Sequence, residues 1–547
     1  MEGFDRSWPH NQGCRSTTSG AARVLVVLVL LLLIAAPAFA SGNWTTSGTQ
    51  ILNPSGQQYV ISGVNWYGFE TTAYVAHGMY AKNYTAILDS VKQYGYNTVR
   101  LPFSNYMWEK NPTPGSNQIS ACAACKGKHS RDIMAMIINY AGSIGLHVIL
   151  DNHRSEAGNS AEDNGLWYYS SGSSSYPESS WISDWVNIQR WLHGVQQTSG
   201  SMDTIAVNDT ASDGFPTVIG FDLRNEPHTP CAHTGCTYNT GSQWGTGDGI
   251  DPATNPNPNP FAPSCVASGS CHDWRLAAER AGDSVFGDAA ANGWGYPLIF
   301  VEGISQYPTA SGTQAAGPYD YTFWGEQLQG VNGNASNPGA PVVFNAGGSA
   351  SSLGPAVNSQ VVYSAHDYGP AEYAQPWFNA STCYASGCSS SSLADFWNAH
   401  WAYIAGSGVN PVWPGHSSYP WSNTGATAYA SAPVWVGEFG TGNTSADVNT
   451  SGNGSQGQWF TDMINFINSS NGATNANPGI PVQNLNWTYW ALNTEDGYAL
   501  LGTSYSGIAL PAKEYTFLCS TQRGALALPS GTSSGQCGST GALPPPQ

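Results

Sequence analysis

The sequence predicts an α/β fold, a (β/α)8 TIM barrel with long loops on its C-terminal face. Three observations carry this reading. Eight short apolar runs recur along the 547 residues, segments with helical spacing lie between them, and single polar groups sit at the C-terminal ends of most runs. Near-continuous apolar runs suit parallel strands covered on both faces. Strand and helix alternating to eight strands close into a barrel, and one large barrel with insertions accommodates a chain of this length.

The runs are YVISGVNW (59–66), NTVRLPF (97–103), HVILDNH (147–153), TVIGFDLRNE (217–226), PLIFVEG (297–303), VVYSAHDY (361–368), PVWVGEF (433–439) and NLNWTYWA (484–491). Between them, Ile87, Leu88, Val91 and Tyr94 share one helical face. So do Ile133, Met136, Ile137 and Tyr140, and likewise Trp274, Ala277, Ala278, Ala281 and Val285. Gly95 and Gly145 stand where a helix should stop before the next strand. The polar groups at the run ends are Arg100, Asp151 to His153, Asn225 and Glu226, Glu302, His366 and Tyr368, Glu438, and Trp490. Barrel active sites are assembled at that end. Residues 154–180, 227–270 and 369–432 read as long loops on the same face.

The ends of the chain read differently. Arg15 and Arg23 precede VLVVLVLLLLIAAPAFA, a signal peptide over 1–40 with cleavage after Ala40. This apolar run is 17 residues long, whereas a membrane span needs about 20. An uncleaved anchor is the alternative, and no later segment could span a bilayer. The catalytic barrel is expected over 41–520, and 521–547 is a Gly/Ser/Pro-rich tail. Cys14 leaves with the signal. The other cysteines fall into five local pairs: Cys122 with Cys125, Cys231 with Cys236, Cys265 with Cys271, Cys383 with Cys388, and Cys519 with Cys537. An even count in an exported chain reads as disulfides, although spacing does not fix their connectivity. CACKGKH, around Cys122, invites a zinc reading, but no second CxxC follows. No metal or cofactor is expected.

A formal charge of −18 argues against nucleic acid, whose phosphates would be repelled. Only 10% of residues are charged, while 21 are Trp and 28 are Tyr, which suits neutral polar ligands such as sugars. Cleaving a glycosidic bond takes two carboxyl groups, one giving a proton to the leaving oxygen and one attacking the anomeric carbon or activating water. Glu226 and Glu438 stand at two strand ends that barrel closure would bring face to face.

NTVRLPF, ILDNHR, GFDLRNEPH, YSAHDYGP, PVWVGEFG and NWTYW, in this order, resemble glycoside hydrolase family 5, the cellulase family, from about Trp44 to Cys519. The likeness is nearest to secreted bacterial endo-β-1,4-glucanases, through GVNWYGFET, DWRLAAERAG and FVEG. It implies a retaining endo-β-1,4-glucanase acting on a β-glucan polysaccharide, with Glu226 as acid/base and Glu438 as nucleophile. Arg100 and Tyr368 would then bond Glu438, and Asn225 would bond the sugar 2-hydroxyl. His153 and His366 would line the cleaved subsite, with His366 near the acid/base, and Trp490 would floor it. His77, Trp66, Trp167, Trp185, Trp324 and Trp377 are candidates for outer subsites, with plain packing an equally good reading of each. The same machinery could serve mannan, xyloglucan or β-1,3-glucan, or be kept by a non-catalytic glycan binder. A monomer is expected, free of the membrane once the signal is cleaved.

Overall fold

Eight parallel strands close on themselves in chain order: Ser62–Asn65, Thr98–Ser104, His147–Arg154, Val218–Asp222, Leu298–Glu302, Val361–His366, Val434–Glu438 and Asn486–Tyr489. The fourth pairs with the fifth, and the eighth with the first. The computed structural model describes residues 42–171, 174–229, 241–245, 272–305, 322–331, 341–344, 359–375, 378, 391–406, 431–449, 452, 454–470 and 485–514. The expected leader and tail lie outside these residues. Each strand coincides with one of the eight predicted runs and is buried along its length. That burial on both faces is why the runs lack a polar alternation.

The helices between the strands follow from local signals. Tyr84–Gln93 starts at Asn83, whose side chain accepts from the Thr85 N–H, and buries Ile87, Leu88 and Val91. Trp274–Asn292 is capped by Asp273 and buries all five residues expected on its inner face. Ser130–Ser143 is rotated from its expected face. Ile133 and Ile137 are buried with Met134, Ile138 and Ala141, while Met136 and Tyr140 are only half-buried. Gly95 (φ 92°) and Gly145 (φ 73°) adopt the left-handed conformation that ends a helix and opens the next strand. Among the described residues no helix follows the fifth strand. The stretch read as loop over 369–432 contains a helix, Ser391–His400, with Trp397 and Trp401 in the core. No helix among the described residues is long and apolar enough to cross a membrane.

The barrel interior is layered. At its lower end Ile61, Ile149, Ile219, Leu298, Phe300, Val362 and Trp435 form one buried cluster. A three-stranded antiparallel piece, Thr45–Ser47, Gln50–Leu52 and Gln58–Tyr59, covers that end. It contributes Trp44 and Ile51 to the cluster. Trp44 sets its ring edgewise against Tyr59 and His147. Trp435 packs edgewise on Phe300 at 4.8 Å and lies 5.7 Å beneath the Arg100 guanidinium. The aromatic layer is therefore the floor of the polar layer above it.

Strict alternation along the seventh strand from the inward Trp435 would turn Glu438 away from the barrel axis. The pairing register with the sixth strand shifts between Ala365 and His366, so that His366 stands opposite Glu438. Such an irregularity re-aims a side chain next to a site.

Trp435→Ala should lower unfolding stability by about 3–5 kcal/mol through cavity formation. Urea denaturation followed by tryptophan fluorescence measures it, and a loss below about 1 kcal/mol would refute this account of the floor.

Candidate active site

The polar layer is built around Arg100, which exposes no side-chain area. Its Nη1 donates to Glu438 Oε1 at 2.5 Å and to Asn65 Oδ1 at 3.1 Å. Its Nε donates to Asp222 Oδ2 at 2.8 Å. Its Nη2 donates to Asn225 Oδ1 at 3.0 Å and to Glu302 Oε1 at 3.2 Å, and lies 3.1 Å from Asp151 Oδ2. The planar fork of donors suits this ring of acceptors, which a lysine could not match.

Glu438 is clamped on both oxygens. Arg100 holds Oε1, and the Tyr368 hydroxyl donates to Oε2 at 2.8 Å. Glu226 lies four residues beyond the end of the fourth strand, with φ at +49°. Its backbone N–H donates to Glu302 Oε2 at 2.6 Å. His366 Nδ1 lies 3.2 Å from Glu226 Oε1 and 3.6 Å from Glu438 Oε2. One carboxylate oxygen each of Glu226 and Glu438, with a ring nitrogen of His366, fall within 4.8 Å of one another.

The environments drive the two carboxyl groups apart. Burial pushes Glu226 up to about 7, the negative Glu438 adds to this, and the His366 contact opposes it. Burial also pushes Glu438 upward, but His366, Arg100, His153 and the Tyr368 hydroxyl outweigh it and hold Glu438 below the usual range. His366 is itself raised well above an ordinary imidazole: burial disfavours its charge, and Glu302 and Glu438 overcome that. Burial and the neighbouring Glu302 raise Asp222 well above the usual carboxylate range, against the pull of Arg100. Below about pH 7 these environments favour one ionised and one protonated carboxyl facing each other. Such a pair can protonate a leaving group while presenting a nucleophile.

The other anticipated residues surround this gap. Asn225 turns its oxygen to Arg100, which leaves its buried Nδ2 without a partner among the described residues. His153 donates or accepts through Nδ1 at Asp151 (2.7 Å) and stacks on Trp490 at 5.7 Å. Trp490 also stacks on Tyr67 at 5.3 Å, and its Nε1 donates to Asp496 Oδ2 at 3.2 Å. Asp496 accepts from the Tyr498 N–H as well, so it shapes the loop. His153, Asn225, Trp490, Asp496 and Tyr498 line a cleft of about 1010 Å³ together with Glu226, Tyr368 and Glu438, at the upper end of the range for small-molecule sites.

The outer-subsite candidates divide. Trp66 is fully buried, with its Nε1 bonded to the His77 carbonyl. Trp167 is buried, bonds Glu178 and packs on Trp274. Trp185 is buried against Phe221 and Phe103. None of the three has a face for a sugar, and the structure corrects those expectations. A count of tryptophans does not tell which way each ring points. His77 bonds Glu495 at 2.7 Å beside Tyr67, apart from the residues that line the cleft. Trp324, 40% exposed, stacks on His228 at 3.7 Å and lines the cleft. Trp377 lies outside the described residues.

Of the five expected cysteine pairs, one falls within the described residues. Cys122 and Cys125 form a disulfide with a Cα–Cα distance of 5.3 Å, which answers the zinc reading of CACKGKH, since both sulfurs are consumed in the bond. The other four pairs, Cys231 with Cys236, Cys265 with Cys271, Cys383 with Cys388, and Cys519 with Cys537, lie outside the described residues.

Sequence reasoning assigned no chemistry to Glu302, Asp222 or Asp151, although each stands in a quoted run. It also missed His228, whose Nδ1 lies 2.7 Å from the Glu226 carbonyl oxygen. Lys513 escaped notice too. Its buried Nζ donates to the carbonyls of Thr441, Tyr498 and Ala499, tying the end of the described chain to the loops that carry one wall of the cleft.

Comparison with known proteins places this geometry. The family model described as Cellulase (glycosyl hydrolase family 5) matches residues 52–496. An endoglucanase of Paenibacillus polymyxa is 30% identical over 460 residues, covering 84% of this chain and 82% of that protein. The major extracellular endoglucanase of Xanthomonas campestris pv. campestris is 28% identical over 385 residues, 70% of this chain and 60% of that protein. Among solved structures, the hyperthermophilic endocellulase of the archaeon Pyrococcus horikoshii aligns with TM-score 0.59 at 24% identity, over 87% of this chain and 98% of that one. The catalytic domain of the Xanthomonas enzyme aligns at 0.56 and 24%, over 87% and 100%. At that identity the two structures speak for the fold.

Tyr368→Phe removes a donor to a charged carboxylate, worth roughly 1.5–3 kcal/mol, or about one to two pKa units. The Glu438 affinity for protons should rise, and the acidic limb of the pH–rate profile should move to higher pH by that amount. An unmoved limb would exclude Tyr368 from holding the ionised form.

Proposed function

The chain belongs to glycosyl hydrolase family 5, so it is a glycoside hydrolase with a β-glucan substrate, and from that premise we propose a retaining endo-β-1,4-glucanase working by double displacement. The observation that supports it is the convergence of Glu226 and Glu438, within 4.8 Å at their nearest oxygens and shifted in opposite directions. Retaining pairs are about 5–5.5 Å apart and inverting pairs about 6.5–9.5 Å, since the latter leave room for a water.

In the first step Glu438 attacks the anomeric carbon as the bond to the leaving oxygen breaks. The Glu226 proton passes to that oxygen. The negative charge of Glu438 is then consumed in the ester, and with it one influence that kept Glu226 protonated. Glu226 becomes the base that takes a proton from water, which attacks the same carbon and releases Glu438. The unpartnered Nδ2 of Asn225 supports a bond to the 2-hydroxyl, and Trp490, braced by Tyr67, His153 and Asp496, supports a stacking floor. We further propose export by the 1–40 leader and a monomeric state.

The pH sign follows from these shifts. Glu226 must be protonated, so activity should fall as pH rises through about 7. Glu226→Gln should lower turnover on polysaccharide by about 10²–10⁴-fold and erase that limb. A limb that persists in the variant would displace Glu226 from the role. Product analysis on carboxymethylcellulose and mannan, with anomeric configuration followed by NMR, separates the substrates. Internal cleavage of the glucan with β-configured first products is expected. An α-configured product would end the double-displacement reading, mannan preference would redirect the substrate, and no product on either would leave a glycan binder.

A further inference from the structure

Glu302 has no exposed side-chain area and touches three parts of the site at once. Its Oε2 accepts the backbone N–H of Glu226 at 2.6 Å. Its Oε1 lies 3.2 Å from Arg100 Nη2 and 3.2 Å from His366 Nε2. The opposite nitrogen of that imidazole faces the Glu226 carboxyl at 3.2 Å. Glu226 is thus met twice, at its backbone directly and at its side chain through His366.

Glu226 needs such a hold. Its φ of +49° lies in the left-handed region, which costs a non-glycine residue free energy unless its surroundings fix it. The surface behind Glu302 is cut to let the carboxylate through. Gly325 has φ +75°, and a Cβ there would stand 2.6 Å from Glu302 Oε2 and 3.5 Å from the Glu226 Cα. The fifth strand ends at Glu302, and the Trp274 indole donates to its carbonyl at 2.8 Å. The carboxylate therefore projects from a braced strand end.

We propose that Glu302 is the positioning residue of the acid/base: by holding the Glu226 peptide N–H and facing His366, it aims the Glu226 carboxyl at the leaving oxygen. The inference rests on the glycosidase reading above. It makes no contact between Glu302 and substrate, so its effect is confined to the proton transfer that Glu226 performs.

The groups that face this relay are Glu226 from beyond the fourth strand, Asp222 on it, Glu438 on the seventh, Arg100 on the second and Tyr368 beyond the sixth. An amide at position 302 has one acceptor where the site presents donors on two sides, the Glu226 N–H and Arg100. Glu302→Gln therefore forfeits one of these contacts whichever way it turns.

The test compares leaving groups. Cellohexaose requires its leaving oxygen to be protonated, whereas dinitrophenyl β-cellobioside leaves unaided. In Glu302→Gln, kcat/KM should fall about 10–100-fold more on cellohexaose than on the dinitrophenyl substrate, chiefly through kcat. Gly325→Ala presses a methyl on the same Oε2 and should give the same selective loss without altering any charge. Equal losses on both substrates, or no loss, would overturn the inference, as would failure of both variants to fold, which would assign Glu302 to the fold alone. Inactivity of the unaltered chain on both substrates would instead sink the glycosidase reading on which this rests.

Discussion

A guanidinium sealed from solvent governs this molecule. Arg100 sits on the second strand and reaches acceptors at the first, third, fourth, fifth and seventh strands: Asn65, Asp151, Asp222, Glu302 and Glu438. A buried cation without such partners would cost several kcal/mol, so the barrel can close only in the register that brings these groups together. The same contacts that satisfy Arg100 hold the Glu438 carboxylate in place and ionised. Fold and site are constrained by one requirement.

The surplus of acids over cations in that ring gives the site its second property. Burial makes full ionisation of all the carboxyls untenable, and the geometry decides which ones yield. Asp222 and Glu226 are pushed up, and Glu438, which alone combines contacts to Arg100 and the Tyr368 hydroxyl with the nearby His366, is held down. The division of labour between acid and nucleophile therefore comes from position within one charge cluster. Two chemically identical side chains are distinguished only by what surrounds them.

Much of this was legible in the sequence because parallel barrel strands are buried on both faces and announce themselves as apolar runs. The polar residues closing each run marked the mouth, and the order of the motifs indicated which glutamates meet. What stayed hidden depends on contacts between distant segments. Nothing local distinguishes Glu302 or Asp222, which hold other residues, from Glu226 and Glu438. The re-aiming of Glu438 comes from a register shift that its own strand does not reveal. For Trp66, Trp167 and Trp185 the sequence left stacking and packing equally open, and all three are core, since composition carries no direction. The helix at Ser391–His400 was legible in retrospect: Leu393, Phe396 and Trp397 stand three and four apart, and the surrounding loop-like composition masked them.

The bond between Arg100 and Glu438 spans 338 residues of chain, and the Lys513 clamp joins loops on the far side of the seventh and eighth strands. A polypeptide emerging from its N-terminus makes the arginine early and its last anionic partner late. Until then Asp151, Asp222 and Glu302 can face the cation, but the half-built cylinder keeps an unsealed seam between its outermost strands. A nascent fragment released before residue 513 would lack the tie that joins these two loops into one wall on which a glucan chain could rest.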